Sequence, residues 1–312
     1  MYALPMSLPE KLKLIKQLTG ESQEKLAAKL GVSFATLNSW INGKSIPRKR
    51  AQTQIDELYA RLTGQRLVPK SALIAKKQMI DKNKSESKDP LKIILGRKDL
   101  YDELMLSLTY NTNRIEGSSL TEDETADILF ESKTLANKSL MEQMEVKNHQ
   151  ASLTYLLHYL AENQELDEAL ILKLHSMLMN GIRDDAGTYR RHGVRIVGSN
   201  VPTANHLKVP VLMKELVKEI RKSPKDFMAH VAAIHSQFEK IHPFSDGNGR
   251  IGRLVLQAML LKDNLASALI MQKKRSEYMA SLNKSQIQED FSLLEDFFCD
   301  AVLEGYKMLK EQ

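Results

Sequence analysis

Twelve residues in the last third of this 312-residue chain carry the types and spacing that could do chemistry: His242-Pro-Phe-Ser-Asp-Gly-Asn-Gly-Arg-Ile-Gly-Arg253. A helix expected over 225–240 ends, and a short loop delivers an imidazole at His242 and a carboxylate at Asp246. Gly247-Asn248-Gly249 then opens the next helix. Small residues there allow close backbone approach, and the free amides at a positive helix end make an anion site. Arg250 and Arg253, at i and i+3, share one face of that helix's first turns. Two guanidiniums beside a positive helix end repel unless an anion sits between them, and the planar fork of arginine suits phosphate. Asp246 among these cations is explained by Mg²⁺ (or Mn²⁺), a hard ion shared between carboxylate and phosphates. No Gly-x-x-x-x-Gly-Lys-Ser/Thr occurs, so this is not a P-loop. His230, His235 and His242 are spaced by five and seven, which is not the i, i+4 spacing of a helical zinc pair.

The elements that must position these groups are helices. Aromatic residues are few, at 6%, and alternating runs are nearly absent, so the patterning predicts an all-α protein. Helices are expected near 8–18, 22–30, 34–42 and 48–62. Further helices are expected near 99–115, 121–131, 138–161, 167–180, 209–222, 225–240, 248–262, 275–287 and 289–310. One stretch interrupts them: Arg195-Ile-Val-Gly-Ser-Asn-Val201-Pro202 reads as a small hairpin. Thr121-Glu-Asp-Glu124 reads as a capping box. Residues 64–98, rich in Lys and Ser with Pro69 and Pro90, read as a basic linker.

The segment 242–253 resembles the Fic-domain motif, His-x-Phe-x-Asp/Glu-Gly-Asn-Gly-Arg-x-x-Arg, at every fixed position. The resemblance extends over about 99–300, including Gly187-Thr-Tyr-Arg190 and the hairpin. It implies nucleotidyl transfer, usually of AMP from ATP to a Ser, Thr or Tyr hydroxyl of a target protein. His242 would be the general base and Asp246 would hold the metal ion. Phe244, Gly247, Asn248, Gly249, Arg250 and Arg253 would form the ATP site. Tyr278 resembles one of the family's adenine-side aromatics; its usual companion is Met279 here. The hairpin at about 193–202, with Val194, Ile196 and Val197, resembles the family's flap, which registers the target by strand pairing. Thr112-Asn-Arg-Ile-Glu-Gly117 resembles the family's inhibitory motif. Its Glu116, with Thr112 and Gly117, would close the helix at about 99–117 and hold Arg253 in a bidentate pair, denying it to phosphate.

The string Ser22-Gln-Glu-Lys-Leu-Ala-Ala-Lys-Leu-Gly-Val-Ser-Phe-Ala-Thr-Leu-Asn-Ser-Trp-Ile-Asn-Gly-Lys44 resembles the phage-repressor (XRE/Cro-like) helix-turn-helix. In that plan the second motif helix enters the major groove. Ser33, Ala35, Thr36 and Asn38 would then face base edges, while Lys44, Arg48, Lys49 and Arg50 would contact phosphates. Charge agrees: residues 1–98 hold 20 Lys+Arg against 8 Asp+Glu, a balance of +12, and the rest hold 25 against 31, a balance of −6. The net +6 describes neither part.

Three parts are therefore expected: a helix-turn-helix bundle at 1–63, a linker at 64–98, and a Fic-type helical domain with a small β-hairpin flap at 99–312. A single cysteine, Cys299, excludes an internal disulfide framework. No apolar run approaches the roughly 20 residues of a membrane span, so a cytoplasmic protein without a membrane partner is expected. Duplex DNA and a protein target are the expected partners, and paired half-sites make a homodimer plausible. Two other functions compete with an autoinhibited adenylyltransferase: a transcription regulator that only senses nucleotide, and removal of AMP from a target.

Overall fold

The structure, a computed structural model, describes residues 7–63, 68–87, 89–196 and 201–310. The described residues form fifteen α-helices: α1 Leu8–Thr19, α2 Gln23–Lys29, α3 Phe34–Ile41, α4 Lys49–Thr63, α5 Lys70–Glu86, α6 Pro90–Gly96, α7 Lys98–Glu116, α8 Glu122–Phe130, α9 Leu140–Ala161, α10 Glu168–Leu178, α11 Val209–Ile220, α12 Phe227–Ile241, α13 Asn248–Lys262, α14 Arg275–Gln288 and α15 Ser292–Lys310. No strand occurs among the described residues. The chain separates into two compact units, Met1–Pro69 and Lys70–Gln312.

The first unit closes around Leu12, Ile15, Leu26, Leu37, Trp40, Ile41, Ile55, Leu58 and Tyr59. Its helix starts are written locally. Ser7 and Glu10 form a reciprocal capping box before α1, and Ser22 and Ser33 cap α2 and α3 by accepting from Lys25 N and Thr36 N. Leu37, Trp40 and Ile41 turn inward from α3, which leaves Ser33, Phe34 and Ala35 exposed at its start.

The second unit is built around α13, which is buried from Arg250 through Leu261 on every side. A helix apolar all round is a core helix; here α7, α9, α10 and α12 pack against it. The consequence for function is that Arg250 and Arg253 project from a rigid centre.

Residues 70–96 depart from the expected linker. They form α5 and α6, which belong to the second unit. Lys76 of α5 pairs with Asp296 at 2.6 Å and Asp300 at 2.7 Å, and Lys77 pairs with Glu295 at 2.7 Å. All three acids lie on α15, so lysines that read as solvated are half of a packed face.

The expected hairpin is likewise revised. Val197 and residues 198–200 lie outside the described residues. The flanks 193–196 and 201–204 carry no strand and are tied by a side chain, Thr203 Oγ1 donating to Val194 O at 2.7 Å.

Candidate active site

His242 caps α12 in the left-handed region, with φ 52° and ψ 63°. Its Nδ1 lies 3.2 Å from Glu239 O. A carbonyl can only accept, so Nδ1 carries the proton and Nε2 is left as the basic nitrogen. Burial pushes the imidazole below its ordinary value; the Glu239 carbonyl opposes this and the Arg190 charge adds to it. His242 is therefore neutral at neutral pH and equipped to accept a proton.

The loop after His242 is braced from within. Asn248 Nδ2 donates to Phe244 O at 2.9 Å, and Asn248 Oδ1 accepts from Phe244 N at 2.8 Å. Phe244 is 0% exposed and stacks on His175 at 3.7 Å. His175 accepts from Gly187 N through Nδ1 and donates to Asp246 O through Nε2, at 2.8 and 3.1 Å. Phe244 and the Asn248 side chain, expected at the ATP site, instead hold the loop in shape. Gly247 begins α13 with φ 75°, and a Cβ there would come within 2.9 Å of Met179 Sδ. Asp246 presents a carboxylate 56% exposed, whose Oδ1 accepts from Gly247 N at 2.7 Å.

Both arginines of α13 already hold carboxylates. Arg253 donates from Nη2 to Glu116 Oε1 at 2.6 Å and from Nε to Thr112 Oγ1 at 2.7 Å. The expected bidentate pair is thus divided, because Thr112, one turn earlier on α7, takes the Nε edge of the fork. Although burial opposes ionisation, the Arg253 charge holds the Glu116 carboxyl below the usual carboxylate range. Gly117 follows as a left-handed cap with φ 108°. Gly249 makes the approach possible, since a Cβ there would overlap Glu116 Oε1 and lie 3.2 Å from Arg253 Nη1. Arg250 donates from Nη1 to Glu145 Oε1 of α9 at 2.7 Å.

These groups open on a cleft of about 450 Å³, lined by Glu116, Glu239, His242, Gly249, Arg253 and Arg275, with Tyr278, Met279 and Asn283 among the remaining walls. That volume suits a drug-sized ligand. Tyr278 is only 1% exposed, and its hydroxyl meets His235 Nε2 at 2.7 Å. Tyr278, expected on the adenine side, is a buried part of the cleft wall. Ile196 lines the cleft's mouth, and Val194 joins the far arm through Thr203. His235 is a buried packing residue and His230 is half-buried, its Nε2 donating to Glu219 O at 2.9 Å.

Three participants escaped the sequence reading. Glu145 meets Arg250 across 105 positions and had no local signal. Glu239 had one: an acid at i+4 from His235 on a stripe that buries Val231, Ile234, Phe238 and Ile241. Arg190 is legible in the sequence only as part of the Gly187-Thr-Tyr-Arg190 resemblance.

In the first unit Ala35 and Ser33 are exposed, Thr36 and Asn38 are half-buried, and Lys44, Arg48, Lys49 and Arg50 are exposed. The Ser33 and Thr36 hydroxyls lie 2.9 Å apart, and Asn38 Oδ1 accepts from Asn42 Nδ2 at 2.9 Å.

Residues 165–260 match the model of the Fic/DOC family, and residues 12–51 match that of a helix-turn-helix family. The chain is 28% identical to the protein adenylyltransferase Fic of Drosophila ananassae over 173 residues, which are 54% of this chain and 34% of that protein. It is 31% identical to a probable protein adenylyltransferase of Aquifex aeolicus over 129 residues, 41% of this chain and 39% of the relative. It therefore spans well under half the length of the curated relatives it matches. A solved structure of Fic-1 from C. elegans shares the fold, with a TM-score of 0.69 at 19% identity over 99% of this chain and 88% of that one. Behind a segment that matches a helix-turn-helix family model, then, this chain carries a segment that matches the Fic/DOC family model.

Proposed function

We propose that this chain is a protein adenylyltransferase that transfers AMP from ATP to a hydroxyl of a target protein, that Glu116 holds it inactive, and that its first unit binds duplex DNA. The observation that carries the reading is a single cleft in which His242 keeps Nε2 as its basic nitrogen while Glu116 occupies Arg253. The curated relatives named as adenylyltransferases agree with it.

In this mechanism ATP phosphates lie on the amides and arginines at the start of α13. His242 Nε2 takes the proton from the target hydroxyl as its oxygen bonds to the α-phosphorus. The bond to the bridging oxygen breaks and pyrophosphate leaves. Such chemistry asks the protein for positioning and charge stabilisation more than for covalent participation. Asp246, an exposed carboxylate at the start of α13, has the hard oxygen donors that suit Mg²⁺ and would be the residue to hold such an ion. When bound, that ion neutralises phosphate charge.

Glu116 and the phosphates compete for one guanidinium and one space beside Gly249. Glu116→Gly should raise incorporation of label from α-³²P-ATP into lysate proteins at least tenfold, and adding His242→Ala should abolish it. Equal labelling by wild type and the Glu116 variant would overturn the inhibitory role. No labelling by either would overturn the transferase.

A further inference from the structure

Arg190 is 3% exposed and has no carboxylate partner among the described residues. Burying a guanidinium costs free energy unless its donors are satisfied, and here every acceptor is a backbone carbonyl. Nε donates to His242 O at 2.7 Å, and Nη1 donates to His192 O at 2.7 Å. Nη2 donates to Ala204 O at 2.5 Å and to Ile241 O at 3.3 Å. Its own backbone N–H donates to Pro243 O at 3.0 Å.

These carbonyls belong to two groups. Residues 241–243 are the turn that sets His242 in its left-handed conformation. His192 and Ala204 adjoin the described stretches 193–196 and 201–203, of which Ile196 lines the cleft. A fork holding both has no counterpart in a purely packing role, which an aliphatic side chain could fill more cheaply.

We infer that Arg190 is a positioning residue that locks His242 in its Nδ1–H tautomer and couples that lock to the two ends of the 192–204 segment. The inference rests on the proposed role of His242 as base. The charge of Arg190 also disfavours imidazolium, keeping the base neutral.

The test reads the imidazole directly. In ¹⁵N-histidine-labelled full-length protein, with His242→Ala to assign the signal, wild type should show the Nδ1–H tautomer. Arg190→Gln should show a mixture dominated by Nε2–H and should titrate at higher pH, because a nearby positive charge is gone. Arg190→Lys keeps the charge without the fork; it should hold the titration near wild type yet still mix the tautomers. Should the Gln variant not fold, the Lys variant alone decides. An unchanged tautomer in a folded variant overturns the inference whatever its activity.

In the Glu116→Gly background, Arg190→Lys should lower the maximal rate of label transfer to lysate proteins at least tenfold, with the apparent KM for ATP changed less than twofold. A wild-type maximal rate would also overturn the inference. Failure of Glu116→Gly itself to label any protein would instead overturn the transferase, with the tautomer still judging Arg190.

Discussion

Glu239 stands one helical turn before His242, in the wall of the cleft, with Oε1 lacking a hydrogen-bond partner and 4.0 Å from His235 Nε2. Burial, against the attraction of Arg253 and with the repulsion of Glu116, pushes its carboxyl up to about 8. In the unfolded chain it would ionise near ~4.3. Between these values the unfolded chain releases a proton that the folded chain keeps, so this residue makes stability fall as pH rises from about 4.3 to about 8. Glu239→Gln removes the titration. Its melting temperature should match wild type near pH 4.5 and exceed it by several degrees at pH 8, read by circular dichroism. At this scale the sequence displayed His242, Asp246, Arg250 and Arg253 because they fall within one short segment. It concealed Glu145 because that partner comes from another helix. It misled over Phe244 and Asn248, since a fixed position in a motif does not say whether its side chain meets ligand or loop.

Among the elements, helices with an apolar stripe were placed from periodicity within a few residues at either end; α7, expected over 99–115, spans Lys98–Glu116. The misses were α5 and α6, and the inner face of α5 is partly lysine. Lys76 stands where a purely apolar helix would place a hydrophobe, and Asp296, buried on α15, receives it. Lys76→Ala should cost about 2 kcal/mol in urea unfolding, because Asp296 loses its partner. Lys76→Ala with Asp296→Ala should cost less than the sum of the single changes, since both single changes lose the same ion pair. A chain trimmed to begin at residue 99 should melt well below one beginning at residue 70, because it discards Ile80, Leu91 and Ile94 from the larger core. The hairpin was read from β-branched residues around Gly198-Ser199-Asn200, but the described flanks are held by Thr203 and Arg190. Side-chain anchorage of this kind leaves no alternating pattern to read.

For the molecule as a whole, the charge division suggested two surfaces with different partners, and the chain has two units, each with its own core. Binding of duplex DNA by the first unit should weaken linearly on a log–log plot against salt, through counterion release. Arg48→Ala should reduce that slope by about 1, measured by fluorescence anisotropy between 50 and 200 mM salt. What composition could not foresee was that one oxygen of Glu116 fills the place a Cβ would take at Gly249. Under the inhibitory role proposed for Glu116, carboxylate and phosphate compete for that point, so nucleotide should bind only molecules whose Glu116 has swung away. Apparent affinity then falls in proportion to the fraction of such molecules. The dissociation constant of ATP for Glu116→Gly, divided by that for wild type, therefore gives the resting population of the open molecule.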